Sequence, residues 1–328
     1  MTHTAHDHCA NHAHQPGHGP DHQPGDGHGH DHSPGHDHSH DHEADAAGQA
    51  EILDLDAEVL AEHIASITAQ LPVESAPRHI VDLGCGTGAG TFALLARFPE
   101  AEVTAVDSST AHLRRLRDKA AADGLAGRVR TVEADLDAGW PDLGAPDLVW
   151  ASASMHHMAD PDRTLRRVHD LLAPGGLFAV VELAGFPRFL PDDAPAERPG
   201  LEERCHAASN RYHAEHVPHR GADWGPKLTA AGFTVESERT ITVDIKGSSS
   251  EGGSEGSRSE AIGRYALNSL QRMRGTAAET LPPEDLAALD RLLDTDSPDS
   301  ILRRDDLVVR TERTVWAARR PHTSGVSK

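Results

Sequence analysis

The chain of 328 residues carries 31 basic against 52 acidic side chains, a net charge of −21, which excludes the phosphate-neutralising surface that nonspecific nucleic-acid binding requires and disfavours anionic membranes. Its three cysteines, Cys9, Cys85 and Cys205, are too far apart for a disulfide framework and fit a reducing compartment. No apolar run approaches the roughly 18 residues of a membrane helix and no charged-then-apolar leader opens the sequence, so a cytoplasmic protein with ample length for a core is expected.

In chain order, residues 1–48 are dominated by His, Asp, Gly and Pro and hold fourteen of the 25 histidines. Without branched aliphatic or aromatic side chains this segment cannot offset its ordering entropy by burial, and it reads as a disordered tail. Neutral imidazole is the commonest metal ligand, and His-rich tracts read compositionally as metal-binding. His28, His30, His32, His36, His38, His40 and His42 are thus candidates for loose binding of Zn, Ni or Cu, the alternative being a solvated tail. From Glu51 to Gln70, Ile52, Leu55, Val59, Leu60, Ile64 and Ile67 recur with a helical period, and Leu71-Pro72 ends that helix.

The next stretch organises the chain. Ile80 to Leu83 is a short apolar strand that runs into Gly84-Cys85-Gly86-Thr87-Gly88-Ala89-Gly90, and Thr91 to Phe98 reads as a helix. Such a strand, tight turn and helix let a ligand touch backbone. A Cβ at Gly84 or Gly86 would clash with a ligand lying on the turn, and such turns often need positive φ. Gly84, Gly86 and Ala89 also fit a dinucleotide fingerprint, with Asp107 about twenty residues on. Asp82 separates the two readings, because a carboxylate beside the turn repels a pyrophosphate and suits S-adenosylmethionine, which has no phosphate and carries an ammonium and a sulfonium. No Lys follows the glycines, which excludes a Walker-type phosphate loop.

Glu102 to Asp107 is a second strand, Ser108 to Ala122 a helix, Arg128 to Asp135 a third strand and Asp147 to Ala151 a fourth. The loop Ser152 to Met158 follows, then a helix from Asp160 to Leu172, the turn Ala173-Pro174-Gly175-Gly176 and a fifth strand, Leu177 to Leu183. Pro187 to Gly200 is a Pro-rich loop. Leu201 to His216 and Trp224 to Ala231 read as helices, Thr234 to Ile245 as the sixth strand and Leu307 to Ala317 as the last. Gly247 to Gly256 is Gly/Ser/Glu-rich, and Ala261 to Met273 and Pro283 to Leu293 read as helices.

The run Val81-Asp82-Leu83-Gly84-Cys85-Gly86-Thr87-Gly88, joined by Asp107, Asp135 and the L-x-P-G-G turn at Pro174-Gly175-Gly176, resembles class I S-adenosylmethionine-dependent methyltransferases over roughly Ile80 to Leu183. The resemblance implies a doubly wound α/β sheet of seven strands, Rossmann-like, in the order 3-2-1-4-5-7-6 with helices on both faces. It implies a domain over 49–245, a helical insertion over 246–306 acting as a lid or homodimer contact, and a last strand and tail over 307–328. The helix before the glycine strand would be a cofactor lid or plain packing.

The cofactor-binding set it implies is Asp82, Gly84, Cys85, Gly86, Gly88, Asp107, Ser108, Asp135, Leu136 and Ala151. Within it Asp107 holds the ribose hydroxyls, and Asp135 with the Leu136 amide holds the adenine. Asp107 could instead cap its helix, and Asp135 its turn. Methyl transfer by in-line displacement needs alignment more than a dedicated group. A hydroxyl acceptor would call for a general base, and His156 and His157, in the loop at the carboxyl ends of the strands, are the candidates; packing or capping is their alternative. His206, His213, His216 and His219 are substrate contacts, a metal set with Cys205 or Glu215, or surface histidines. The loop after the fourth strand has neither the N/D-P-P-Y/F sequence of amino-methylating DNA enzymes nor the paired glutamates of arginine methyltransferases. A small-molecule O, N or C acceptor follows. The second reading is a metal-binding or metal-delivery protein that senses S-adenosylmethionine, and a third is an NAD-dependent oxidoreductase.

Overall fold

A computed structural model describes residues 38–247 and 255–322, with side chains from Gly48 and, after the gap, from Arg258 onward. Its elements are α1 (His38–Val59), α2 (Ala61–Ala69), β1 (His79–Leu83), α3 (Ala89–Arg97), β2 (Glu102–Asp107), α4 (Thr110–Ala122), β3 (Val129–Glu133), β4 (Leu148–Ser152), α5 (Pro161–Leu171), β5 (Leu177–Leu183), α6 (Leu201–His216), α7 (Trp224–Ala230), β6 (Thr234–Lys246), α8 (Glu255–Ala277), α9 (Pro283–Leu293) and β7 (Val308–Arg319). The strands form a seven-stranded sheet in the order β3-β2-β1-β4-β5-β7-β6, the order that the resemblance implies. The first five strands are parallel, and β7 enters antiparallel between β5 and β6.

The central strands are buried on both faces, which is why they read as unbroken apolar runs. Alternate residues go to opposite cores, as the pleat requires. Ile80, Leu148, Trp150, Ala179 and Val181 face Leu94 and Leu95 of α3. Val81, Val149, Ala151, Phe178 and Val180 face Leu165 and Val168 of α5 and Trp224 and Leu228 of α7.

A third core lies among helices. Leu55 of α1, Cys205 and Ala208 of α6, Ile262, Tyr265 and Leu270 of α8 and Leu289 of α9 bury together with Phe189 and Leu190. The expected insertion therefore shares one core with α1 and α6.

Two expectations need correction. The tail read as disordered to residue 48 is helical from His38, because Glu43, Ala44, Ala46 and Ala47 are good helix formers and extend a helix anchored by buried Ala50 and Leu55. His28, His30, His32 and His36 lie outside the described residues; His38, His40 and His42 fall on α1, their side chains outside the description. The single helix expected over 51–70 is two, bent at Leu60 (φ −99°, ψ 13°). Hydrogen bonds Leu60 N to Asp56 O and Ile64 N to Leu60 O, both 2.9 Å, bridge the bend. Leu60, fully buried, turns toward the helical core there.

Candidate active site

The glycine turn is shaped first by the protein around it. Gly84, Gly86 and Gly88 have φ of 66°, 53° and 99°, a region that favours glycine. A Cβ on Gly84 would lie 2.4 Å from the Ser154 Cβ, and one on Gly86 would lie 3.0 Å from a Leu53 methyl of α1. The clash expected with a ligand is thus also a clash with the loop after β4 and with α1. Ser154 Oγ donates to Leu83 O at 2.8 Å, locking that loop onto the end of β1. Above the turn, Asp54 of α1 pairs with Arg115 and Lys119 of α4, and Lys119 Nζ also donates to Thr87 O at 3.2 Å.

Asp82 is buried at 2% exposure, with Thr91 Oγ1 donating to it at 2.6 Å. Burial raises its pKa to about 7, the Thr91 hydrogen bond working against this and the Asp107 charge adding to it. A buried carboxylate with a neutral donor and, among the described residues, no cation is what a cationic ligand would complete. The same burial, with the charges of Asp82 and Asp107, raises the Cys85 thiol well above its usual range and keeps it protonated.

Asp107 receives hydrogen bonds from Gly86 N at 2.9 Å, Ser109 N at 2.8 Å and His112 Nδ1 at 3.3 Å. Burial alone would raise its pKa, but the bonds from His112, Ser109 and Gly86 prevail and lower it. It therefore stays ionised, with acceptor capacity left on Oδ2. Ser109, one residue past the expected Ser108, caps α4 by accepting from His112 N at 3.3 Å; Ser108 is exposed. Asp135 is exposed and accepts from Asp137 N at 2.9 Å, the turn-capping alternative, while Leu136 and Ala151 are buried.

The loop after β4 carries strain at Ala153, a non-glycine residue with φ 51°, held by its N–H donating to Val181 O at 2.8 Å. Such outliers persist where surroundings over-determine them and cluster at functional sites. A short 3-10 turn, Met155 to His157, follows. His156 is buried, with Nδ1 2.5 Å from Glu182 Oε2 and its backbone N–H donating to Glu182 Oε1 at 3.2 Å. His157 lies with its ring centroid 4.1 Å away. Loss of solvation, then the charges of His156, Arg220, Arg272 and His213, push its pKa down to about 4, although the residue as a whole is exposed, which weakens the first of these.

Glu182, 4% exposed, escaped the sequence reading. Its signal was the lone carboxylate inside the apolar run Leu177–Leu183. Carboxylate on Nδ1 fixes the imidazole tautomer and leaves Nε2 to accept a proton.

His156, His157 and Met158 line, with His216, Val217, Pro218 and His219, a cavity of about 210 Å³. Of the other histidines, His206 is buried, His213 Nδ1 bonds Ser209 O at 2.8 Å and His216 stacks on Tyr212 at 4.1 Å. Among the described residues no three His, Cys, Asp or Glu side chains converge to hold a metal, which removes the metal reading of His206 to His219.

Residues 81–178 match a family described as a methyltransferase domain. A trans-aconitate 2-methyltransferase of Acidovorax sp. (strain JS42) is 45% identical over 105 residues, 32% of this chain and 38% of that protein. A malonyl-[acyl-carrier protein] O-methyltransferase of Laribacter hongkongensis is 28% identical over 219 residues, 61% of this chain and 69% of that protein. The chain thus spans about 38% of the length of the former relative. A Haemonchus contortus phosphoethanolamine N-methyltransferase, solved with phosphomonomethylethanolamine and S-adenosylhomocysteine, superposes with a TM-score of 0.46 at 15% identity, covering 80% of this chain and 53% of that one.

Proposed function

We infer, from a chain whose residues 81–178 match a methyltransferase domain, that the whole protein is an S-adenosylmethionine-dependent enzyme transferring a methyl group to a small-molecule acceptor. The observation that carries the cofactor is Asp82, a buried acid with no cation partner among the described residues, beneath a turn of three positive-φ glycines. Asp82 supplies charge toward a ligand ammonium, Asp107 the acceptor for ribose hydroxyls, and Asp135 with the Leu136 amide an edge for adenine. When bound, S-adenosylmethionine supplies an electrophilic methyl carbon.

The chain's own part in the reaction falls to the loop after β4. His156, oriented by Glu182, receives the proton of an acceptor hydroxyl or amine at Nε2. His157, held neutral at physiological pH, borders the same cavity without adding charge. The relatives that act on trans-aconitate and malonyl-[acyl-carrier protein] support a small acceptor over a nucleic acid.

Calorimetry with S-adenosylhomocysteine tests the reading. Saturable 1:1 binding, weakened by Asp107→Ala by roughly 1.5 to 3 kcal/mol, is expected; binding of a nicotinamide dinucleotide instead would overturn it. For the histidine-rich tail we assign loose metal binding. Deleting residues 1–37 is expected to abolish most Zn uptake in equilibrium dialysis while leaving S-adenosylhomocysteine affinity and methyl transfer intact. Loss of all three would favour the metal-delivery alternative.

A further inference from the structure

Four imidazoles, those of His156, His157, His216 and His219, border the cavity of about 210 Å³ beside the candidate base, and no Lys, Arg, Asp or Glu is among the described residues that line it. In a chain of net charge −21 this wall is polar without being charged when the histidines are neutral. Its volume is below the roughly 300 Å³ where drug-sized pockets begin, so one small molecule fills it. His216 and His219 lie beyond residues 81–178, the span that matches a methyltransferase domain. That half of the cavity is therefore not part of what the domain match carries.

Hydrogen bonds fix the tautomer of two of the four rings. The proton of a neutral imidazole goes to the nitrogen that faces an acceptor. His156 Nδ1 lies 2.5 Å from Glu182 Oε2, and the same carboxylate accepts the His156 backbone N–H through Oε1 at 3.2 Å. His216 Nδ1 lies 2.8 Å from the Tyr212 carbonyl oxygen, and stacking on the Tyr212 ring at 4.1 Å and 16° sets its plane. Both rings carry the proton on Nδ1, which leaves each Nε2 a bare acceptor. The His156 Nε2 has no partner among the described residues and is absent from the closed, unpaired side-chain atoms, so it opens onto the cavity that the residue lines. A carboxylate brings only acceptors to such a nitrogen, whereas a hydroxyl brings the missing donor.

We propose that this cavity takes an uncharged acceptor with two hydroxyl groups, a small diol or catechol, one hydroxyl donating to His156 Nε2 and the other to His216 Nε2. The hydroxyl at His156 is the one methylated. Its oxygen bonds the methyl carbon as the carbon–sulfur bond breaks, its proton passes to Nε2, and the sulfur keeps the electron pair in S-adenosylhomocysteine. His216 determines specificity by holding the hydroxyl that is left. The proposal rests on the methyltransferase reading for the transfer step, while the preference for two donors is a property of binding alone.

The test is calorimetry on the full chain at slightly alkaline pH, where imidazole is neutral, under nitrogen and with or without saturating S-adenosylhomocysteine. Catechol, o-cresol and o-xylene serve as probes, equal in heavy atoms and carrying two, one and no hydroxyl donors, beside malonate. Each hydroxyl lost should weaken binding roughly fivefold, the equivalent of one hydrogen bond, and catechol should bind more tightly than malonate. His216→Phe keeps a ring to stack on Tyr212 and removes Nε2. It should bring catechol to the affinity of o-cresol, with o-cresol and S-adenosylhomocysteine binding unchanged. No catechol binding to the native protein, o-cresol binding as tightly as catechol, malonate outcompeting catechol, or H216F retaining the native preference for catechol would each overturn the proposal. If H216F does not fold, H216A decides by the same criterion. Failure of S-adenosylhomocysteine to bind the native protein would instead count against the methyltransferase reading, and the probe series without it still tests the cavity.

Discussion

Glu182 turns His156 from a buried histidine into an oriented one. Its two oxygens take both the ring Nδ1–H and the backbone N–H of the same residue, so side chain and loop are positioned by one carboxylate. Removing that charge while keeping the shape isolates orientation from packing. Glu182→Gln is expected to lower single-turnover methyl transfer to a hydroxyl acceptor by on the order of 100-fold, the low end of what a positioned base contributes. S-adenosylhomocysteine affinity should hold, since the amide still fills the space. An unchanged rate would mean that the acceptor atom loses no proton to His156. The pairing spans 26 residues and leaves no periodic trace in the sequence, whereas the histidine pair itself was legible from its place after the fourth strand.

Among the elements, α1 carries more of the site than its sequence discloses. Its apolar period announced a helix that docks through Leu55, and polar contacts add to that docking. Asp56 accepts from Arg313 Nη2 of β7 at 2.6 and 2.7 Å and from Tyr265 Oη of α8 at 2.6 Å. One carboxylate therefore ties α1, the sheet and the insertion together at the edge of the helical core. Arg313 is 5% exposed, and a buried charge stripped of its partner costs roughly 3 to 5 kcal/mol. Asp56→Ala should lower the urea midpoint accordingly, and it should weaken S-adenosylhomocysteine binding because α1 lies against Gly86 through Leu53 and is tied to Thr87 through Asp54 and Lys119. Pairing the change with Arg313→Met should recover most of the stability; no recovery would mean that Asp56 acts through Tyr265. Strands buried on both faces and the glycine turn were readable because their residues are contiguous. The partnership of Asp56 and Arg313, 257 positions apart, was not. The bend at Leu60 was hidden too, since the period runs through it.

For the whole molecule, opposed carboxylates set the response to pH. Asp107 and Asp285 lie below the usual carboxylate range. For Asp285, fully buried in α9, the Arg204 hydrogen bond is the leading cause, burial opposes it, and Arg198 adds to the lowering. A depressed carboxylate contributes stability present above its unfolded pKa of about 3.9 and lost as pH falls through the folded value. Asp82 has the opposite sign: with a folded pKa of about 7, the native state holds a proton that the unfolded chain has released between about pH 4 and 7, so stability declines as pH rises across that window. Without ligand the melting temperature should climb from strong acid to about pH 5 and then fall toward pH 7. Asp82→Asn should flatten the second limb and leave the first, and Asp285→Asn should blunt the first limb. A cationic ligand favours ionised Asp82, so S-adenosylhomocysteine affinity should rise from pH 6 to 8 with proton release into buffer, visible as a dependence of calorimetric enthalpy on buffer ionisation heat. Affinity independent of pH across this range in the native protein would show that Asp82 does not face the bound ammonium.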